Sequence, residues 1–224
     1  MSSSGIVLDV RDLADCVLAG KDDSRYHHVL VNTNAVTVRG LHGRAMYFGG
    51  NAYISAAYSP AFDVIHNLTI EAVIRPQVLT SYKTIVTKDY AASPYDSVPF
   101  LFTVHEGKLG LAAYDNGVNL FNVDSTTTLI ANKFYHVTVT FDDTLGSTNI
   151  RFYLNGRADG TGDYTSPLPV NNANLCIGAY TTGLLYKFIG DIESVLVLNL
   201  TLELAEVKEH YRQLLPFINT YKPI

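Results

Sequence analysis

Tryptophan is absent from this 224-residue chain, and cysteine and methionine occur only twice each. Cys16 and Cys176 stand far apart without metal-ligand spacing, which argues against a disulfide framework and reads as two buried thiols. Clustered positive charge is missing too: sixteen Lys and Arg are scattered among twenty-one Asp and Glu, for a net charge of -5. Phosphate binding needs grouped cations, so nucleic acid is not an expected partner. No apolar run approaches the length of a membrane span, so no membrane insertion is expected. The segment Met1 to Gly5 lacks the basic-then-apolar layout of a secretory signal, and synthesis in the cytosol without classical secretion is the expectation. Neither a Gly-x-Ser-x-Gly elbow nor a phosphate-binding loop occurs.

What the chain does have is apolar content and alternation. Hydrophobic residues make up 47% and charged residues 17%, enough for one sizeable core. In Asn67-Leu-Thr-Ile-Glu-Ala-Val-Ile-Arg-Pro76, Leu68, Ile70, Ala72 and Ile74 share one face while Thr69, Glu71 and Arg75 take the other. That is the period of a half-buried antiparallel strand. The same pattern predicts strands at 84–88, 100–104, 108–114, 134–141, 149–154 and 174–178. Turn clusters separate them: His105-Glu-Gly107, Asp115-Asn-Gly117, Asp142 to Gly146 and Asn155-Gly156. Many short strands between Gly-rich turns mean an all-β sandwich or barrel. No linker or fixed-period repeat divides the chain, so residues 1–215 read as a single domain followed by a short tail, 216–224.

After these strands, the apolar stretch Phe188 to Leu198 runs into one short amphipathic helix. Leu204, Val207, Tyr211 and Leu214 recur at steps of three and four, and Glu203, Glu206, Lys208 and Glu209 fill the opposite face. Thr201 is the expected N-cap, and Pro216 is expected to stop the helix.

The order of segments resembles the laminin-G-like branch of the concanavalin A-like lectin and glucanase jelly rolls. The residues that carry the resemblance are Asp22-Asp-Ser24, Ala45-Met-Tyr-Phe-Gly-Gly50, Leu68 to Pro76, Ile85-Val-Thr-Lys88, Phe134 to Asp142, Ile150-Arg-Phe-Tyr-Leu-Asn-Gly156, Leu175-Cys-Ile-Gly178 and the closing strand and helix. No one of these is specific; eight in the right order are. The chain departs from the pattern in having no Trp, Phe48-Gly49-Gly50 for Phe-Asp-Gly, and Ile192-Glu193-Ser194 for Ile-Asp-Glu. The resemblance implies a two-sheet antiparallel jelly-roll sandwich with one short C-terminal helix. It also implies a structural calcium held by Asp22 or Asp23, by carbonyls near Gly40 and Gly49, and by Glu193; the alternative is an exposed acidic turn and a surface acid.

Enzymes of this fold that cleave β-glucans present two acids to one cleft from alternate strand positions. Asp191-Ile-Glu193 lacks a third acid, and Asp159 and Asp163 sit in a Gly-rich hairpin, so no catalysis is expected. His27 and His28, adjacent on a strand, would point to opposite faces, and His42, His105 and His136 form no evident set. Recognition is the better expectation, because fifteen tyrosines and ten phenylalanines are available to a partner. The candidate surface consists of loop residues Tyr90, Tyr95, Asp96, Tyr114, Asp115, Asn116, Tyr180 and Tyr186, whereas Tyr135 and Tyr153 read as packing residues. Its partner is a surface glycan or a protein in an assembly, since tyrosine serves both. The expected role is a non-catalytic recognition or assembly module of a virus or phage particle, with a lectin-like or adhesion domain as the alternative, on a virion or cell surface. Asn67-Leu-Thr69 and Asn199-Leu-Thr201 match the glycosylation sequon, but each Thr already suits a strand or cap.

Overall fold

A computed structural model of the chain describes residues 5–88, 97–180 and 185–218. Its strands form two antiparallel sheets packed face to face. The first runs in the order β13 (Arg157–Gly162), β12 (Ile150–Leu154), β11 (Tyr135–Asp142), β6 (Asn67–Pro76), β15 (Ile189–Leu198), β4 (Arg44–Gly49) and β3 (Val36–Arg39), with β1 (Ile6–Val10) also paired to β15. The second runs β10 (Val118–Asp124), β9 (Lys108–Asp115), β8 (Val98–His105), β7 (Tyr82–Lys88), β14 (Leu175–Ile177), β5 (Tyr53–Ala56) and β2 (Leu30–Thr33). Strands remote in sequence lie side by side: β15 pairs with β6 so that Ile192 faces Ile74 and Leu198 faces Thr69. This is the expected jelly-roll sandwich.

The core lies between the sheets, where Leu68, Ile70, Ala72 and Ile74 of β6 meet Phe100 and Phe102 of β8 and Leu109 and Leu111 of β9 in one fully buried cluster. Two motif glycines have a steric cause. A Cβ on Gly178, at φ +85°, would come 2.3 Å from the Phe48 ring, and one on Gly190, at φ +140°, would come 2.2 Å from the Arg75 carbonyl. Only glycine allows those approaches.

The alternation along β6 separates two buried environments rather than an inside and an outside. Thr69, Glu71 and Val73 are buried as well, because α2 (Leu204–Ile218) lies across the outer face of the first sheet. Val207 packs with Tyr153, Leu196, Leu198 and Leu202, while Leu214 and Ile218 cover Leu41, Val73 and Phe134. The helix face foreseen from its periodicity is therefore the one that packs. Its ends differ from expectation. Thr201 does not cap it, since its hydroxyl donates to the Phe141 carbonyl at 2.9 Å. The first turn instead hangs from the Glu203 carbonyl, and the Glu206 carboxylate reaches back to the Glu203 amide at 2.9 Å, the return half of a capping box. Nor does Pro216 stop the helix, which continues through it to Ile218; so close to the end, proline removes only one hydrogen bond. The stretch read as a tail thus begins inside the helix.

A second helix, α1 (Leu13–Ala19), was not foreseen. Asp12 caps it through the Asp15 amide at 3.2 Å, and Gly20 ends it in the left-handed conformation at φ +74°. Cys16 and Cys176 are both buried thiols rather than a disulfide.

Candidate functional site

The inward side chains of β8 and β9 are Phe100, Phe102, Val104, Leu109, Leu111 and Ala113. Strand alternation therefore turns Leu101, Ala112 and Tyr114 to the outer face of the second sheet, where Tyr114 and Tyr180 pack over Val98, Leu101 and Ala112. Tyr82 from β7 and Tyr186 complete a pocket of about 260 Å³ lined by Tyr82, Leu101, Tyr114, Gly117, Tyr180 and Tyr186. The Tyr186 ring lies between two others, 5.1 Å from Tyr82 and 5.4 Å from Tyr180 by centroid. These are the separations at which aromatic pairs attract beyond simple burial.

The array is held in place. Tyr82 stacks on His105 at 3.9 Å with the planes within 9°, and its hydroxyl accepts from Asn122 Nδ2 at 2.8 Å. His105 Nδ1 is fixed in turn by Asp124 at 2.9 Å. Burial, with Tyr82 and Tyr186 close by, pushes the Tyr114 phenol up, so it stays protonated and available for hydrogen bonding. Tyr186 has φ +45°, a left-handed conformation that a bulky residue rarely adopts. Such strain costs on the order of 1–3 kcal/mol and persists where surrounding bonds over-determine it. Here the Tyr186 carbonyl accepts from the Thr84 amide at 2.7 Å, and Tyr180 and Leu185 exchange backbone bonds at 3.0 and 3.3 Å.

Of the surface residues expected from the sequence, Tyr114, Tyr180 and Tyr186 do converge. Asp115 and Asn116 lie beside them in the β9–β10 turn: Asp115 Oδ1 accepts from Ser97 Oγ at 2.6 Å, and Asn116 turns the chain at φ +48°. Tyr90, Tyr95 and Asp96 fall outside the described residues. The site is not purely a loop surface, as expected, because Tyr82 and Tyr114 project from strands. Tyr82 and Asn122 went unnoticed, and His105 was read only as a residue near a turn; the one signal for Tyr82 was its position two residues ahead of the predicted strand. Tyr135 and Tyr153 are buried packing residues, as expected.

The three acids expected to hold calcium do not gather. Asp22 is fully buried and accepts the amides of Asp9 at 3.1 Å, Ser24 at 3.3 Å and His28 at 2.6 Å. Glu193, also buried rather than at the surface, accepts the Leu41 and His42 amides at 2.5 Å each. Asp23 is exposed and accepts from Cys16 Sγ at 3.5 Å. Amide N–H groups point their positive ends where a cation would sit, and among the described residues no group of three or more His, Cys, Asp or Glu is placed to hold a metal ion. These residues do not fit a calcium site.

The remaining acids are also engaged. Asp191 is buried against Arg75, whose Nε donates at 2.5 Å, and burial raises its carboxyl more than Arg75 lowers it. Burial likewise raises Glu193. Asp159 accepts from Thr127 Oγ1 at 2.5 Å, and Asp163 from the Thr148 amide.

Under α2 lies a larger polar cavity of about 590 Å³. Glu71 is its hub. His210 Nδ1 is 3.0 Å from both carboxylate oxygens, and His136 Nε2 lies 3.3 Å from Oε1, close enough for charge attraction but not aligned as a hydrogen bond. Burial raises the Glu71 carboxyl, but the two imidazoles outweigh it and hold it at about 2. His136, read earlier as belonging to no set, is therefore part of one.

Two antiparallel sheets in jelly-roll order, closed on one side by a terminal helix, define a concanavalin A-like sandwich. The sequence profile of the concanavalin A-like lectin/glucanases superfamily matches residues 48–208, and the chain belongs to that family. A search of curated proteins finds no match. Solved structures with the same fold include domain 4 of AbnA, an extracellular GH43 arabinanase from Geobacillus stearothermophilus, in complex with arabinotriose. The TM-score is 0.68 at 14% identity, over 92% of this chain and 97% of that one. The binding domain of botulinum neurotoxin DC, in complex with rat synaptotagmin II, matches with a TM-score of 0.70 at 12% identity, over 96% of this chain and 52% of that one. The binding domain of Paraclostridial Mosquitocidal Protein 1 gives 0.68 at 15% identity, over 94% and 52%. The chain thus spans about half the length of the toxin binding domains it resembles. Identities this low establish the fold alone.

Proposed function

We propose that the chain is a non-catalytic recognition domain that takes a surface glycan on the tyrosine face of its second sheet. The observation that carries this reading is the pocket of four tyrosines, with the Tyr82 ring fixed by His105 and Asn122 and the centre formed by a strained Tyr186. Sugars are gripped by aromatic faces together with planar polar groups; both are present here, and among the described residues no acid lines the tyrosine pocket as a glycosidase would require. The arabinanase domain, crystallised with an arabinose oligosaccharide, is a same-fold precedent for such a ligand.

A protein partner is the second reading, favoured by Val118 and Leu185, which are 63% and 52% exposed at the pocket's edge. In that case the domain works in an assembly such as a virus or phage particle. Either partner suits a virion or cell surface.

Calorimetric titration with a panel of oligosaccharides decides between them. A lectin should bind in the millimolar to micromolar range, roughly -4 to -8 kcal/mol, and lose at least tenfold in affinity on Tyr114→Ala. An assembly module should ignore sugar and bury on the order of 1,000 Å² against protein. Incubated with β-glucans and aryl glycosides, the protein should turn none over. Activity that survives repurification and disappears with Glu193→Gln or Asp191→Asn would overturn the non-catalytic part.

A further inference from the structure

We infer that the tyrosine face selects acidic saccharides, with one sugar against Tyr186 and an anionic oxygen group of the same or the next residue in an adjoining lysine groove. This rests on the glycan reading above. The groove, about 300 Å³, shares Tyr82 and Tyr186 with the tyrosine pocket and adds Lys83, Lys187, Ser81 and Gly50. Two volumes with a common aromatic wall suit neighbouring units of one oligosaccharide.

Two ammonium groups line the groove. Lys88 is paired with Asp63 and Arg75 with Asp191, whereas among the described residues neither Lys83 nor Lys187 forms an ion pair. Lys187 Nζ donates to a neutral acceptor, Asn51 Oδ1, at 2.6 Å. The carboxylate on that rim, Glu106, is engaged by the Ser81 amide at 2.7 Å. Gly50 leaves the floor open, since a Cβ there would meet nothing within 4 Å. In a chain of net charge -5, two ammonium groups set against the one rim carboxylate leave a local surplus of positive charge beside the aromatic pocket among the described residues. They can donate to carboxylate or sulfate oxygens, an attraction that salt screens because the site is open to water.

The test is calorimetry or NMR titration of the full chain with three probes of similar length: a neutral oligosaccharide, an oligogalacturonate and a sulfated oligosaccharide. At low salt at least one acidic probe should bind about tenfold or more tighter than the neutral one, and the gap should shrink several-fold at 0.5 M salt. The double variant Lys83→Gln/Lys187→Gln should erase it. Preference for the uronate alone or the sulfate alone supports the inference and names the anion. Equal binding of neutral and acidic probes, or a preference that survives the double variant, overturns this inference while the glycan reading stands. Failure of all three probes to bind overturns both.

Discussion

The two outer faces of this sandwich have opposite chemistry. On the first sheet, α2 closes the surface over Glu71, His136 and His210; on the second, tyrosines stand over Leu101 and Ala112, and among the described residues no helix lies above them. Buried charge is costly unless matched, so the covered face must keep its partners and serves to seat the helix. Aromatic area left open costs little and offers binding surface, so the uncovered face is free to serve a partner. A change under the helix should therefore act on stability, and a change among the tyrosines on binding.

The largest expected effect tests the covered face. Glu71→Ala leaves two imidazoles without their carboxylate and should cost about 3 kcal/mol or more, a drop of roughly 6–12 °C in melting temperature for a domain of this size. Its glycan titration should match that of the native protein. Unchanged melting would mean that the hub does not seat α2.

Titration of the hub gives a smaller effect with a defined sign. His210 is raised by its hydrogen bond to Glu71, despite burial and nearby Arg11, so its contribution is complete below its ordinary 6.5 and disappears as pH rises through the raised folded value. Glu71, held at about 2, contributes above its ordinary 4.5, and that contribution is lost as pH falls toward about 2. The pair is therefore strongest between about 4.5 and 6.5. Buried Asp191 and Glu193 and the more exposed His42 also titrate, so the informative quantity is the difference in melting between the native chain and His210→Gln across pH. That difference should be largest near pH 5.5 and shrink by pH 8.5.

On the open face the account expects the reverse division. Tyr186→Gly relieves a left-handed tyrosine while losing its ring contacts, so stability should stay within about 1 kcal/mol of native. Saccharide affinity should fall at least tenfold in the same preparation. A loss of several kcal/mol in stability with affinity retained below the melting range would place Tyr186 in the core rather than at the site.

The smallest effect concerns calcium. Melting midpoints in calcium and in chelator should coincide within about a degree, because Asp22 and Glu193 already accept amide protons. A clear upward shift with calcium, together with metal found by elemental analysis, would overturn that assignment.

Much of the sandwich was legible because a strand with one core face announces itself by alternation, as at Leu68, Ile70, Ala72 and Ile74. The helix face was legible for the same reason, at period 3.6. What alternation cannot report is a second covering layer. Glu71 looks like an outward polar residue until α2, more than a hundred residues later, lands on it. Asp22 and Glu193 look like ligands or surface acids until the amides they bind are brought from elsewhere in the chain. Tyr114, Tyr180 and Tyr186 were visible as aromatics near turns. Tyr82 and the lysines at 83 and 187 were not, since only the bond from the Thr84 amide to the Tyr186 carbonyl brings the segment of Lys187 beside the start of β7.

Backbone amide NMR during titration with an oligosaccharide bound by the full chain tests the central claim most directly. The account predicts shifts concentrated at Tyr82, Tyr114, Asn122, Tyr180 and Tyr186, with Glu71, His136 and the amides of α2 unmoved. Shifts centred under α2 and absent from the tyrosine face would contradict it.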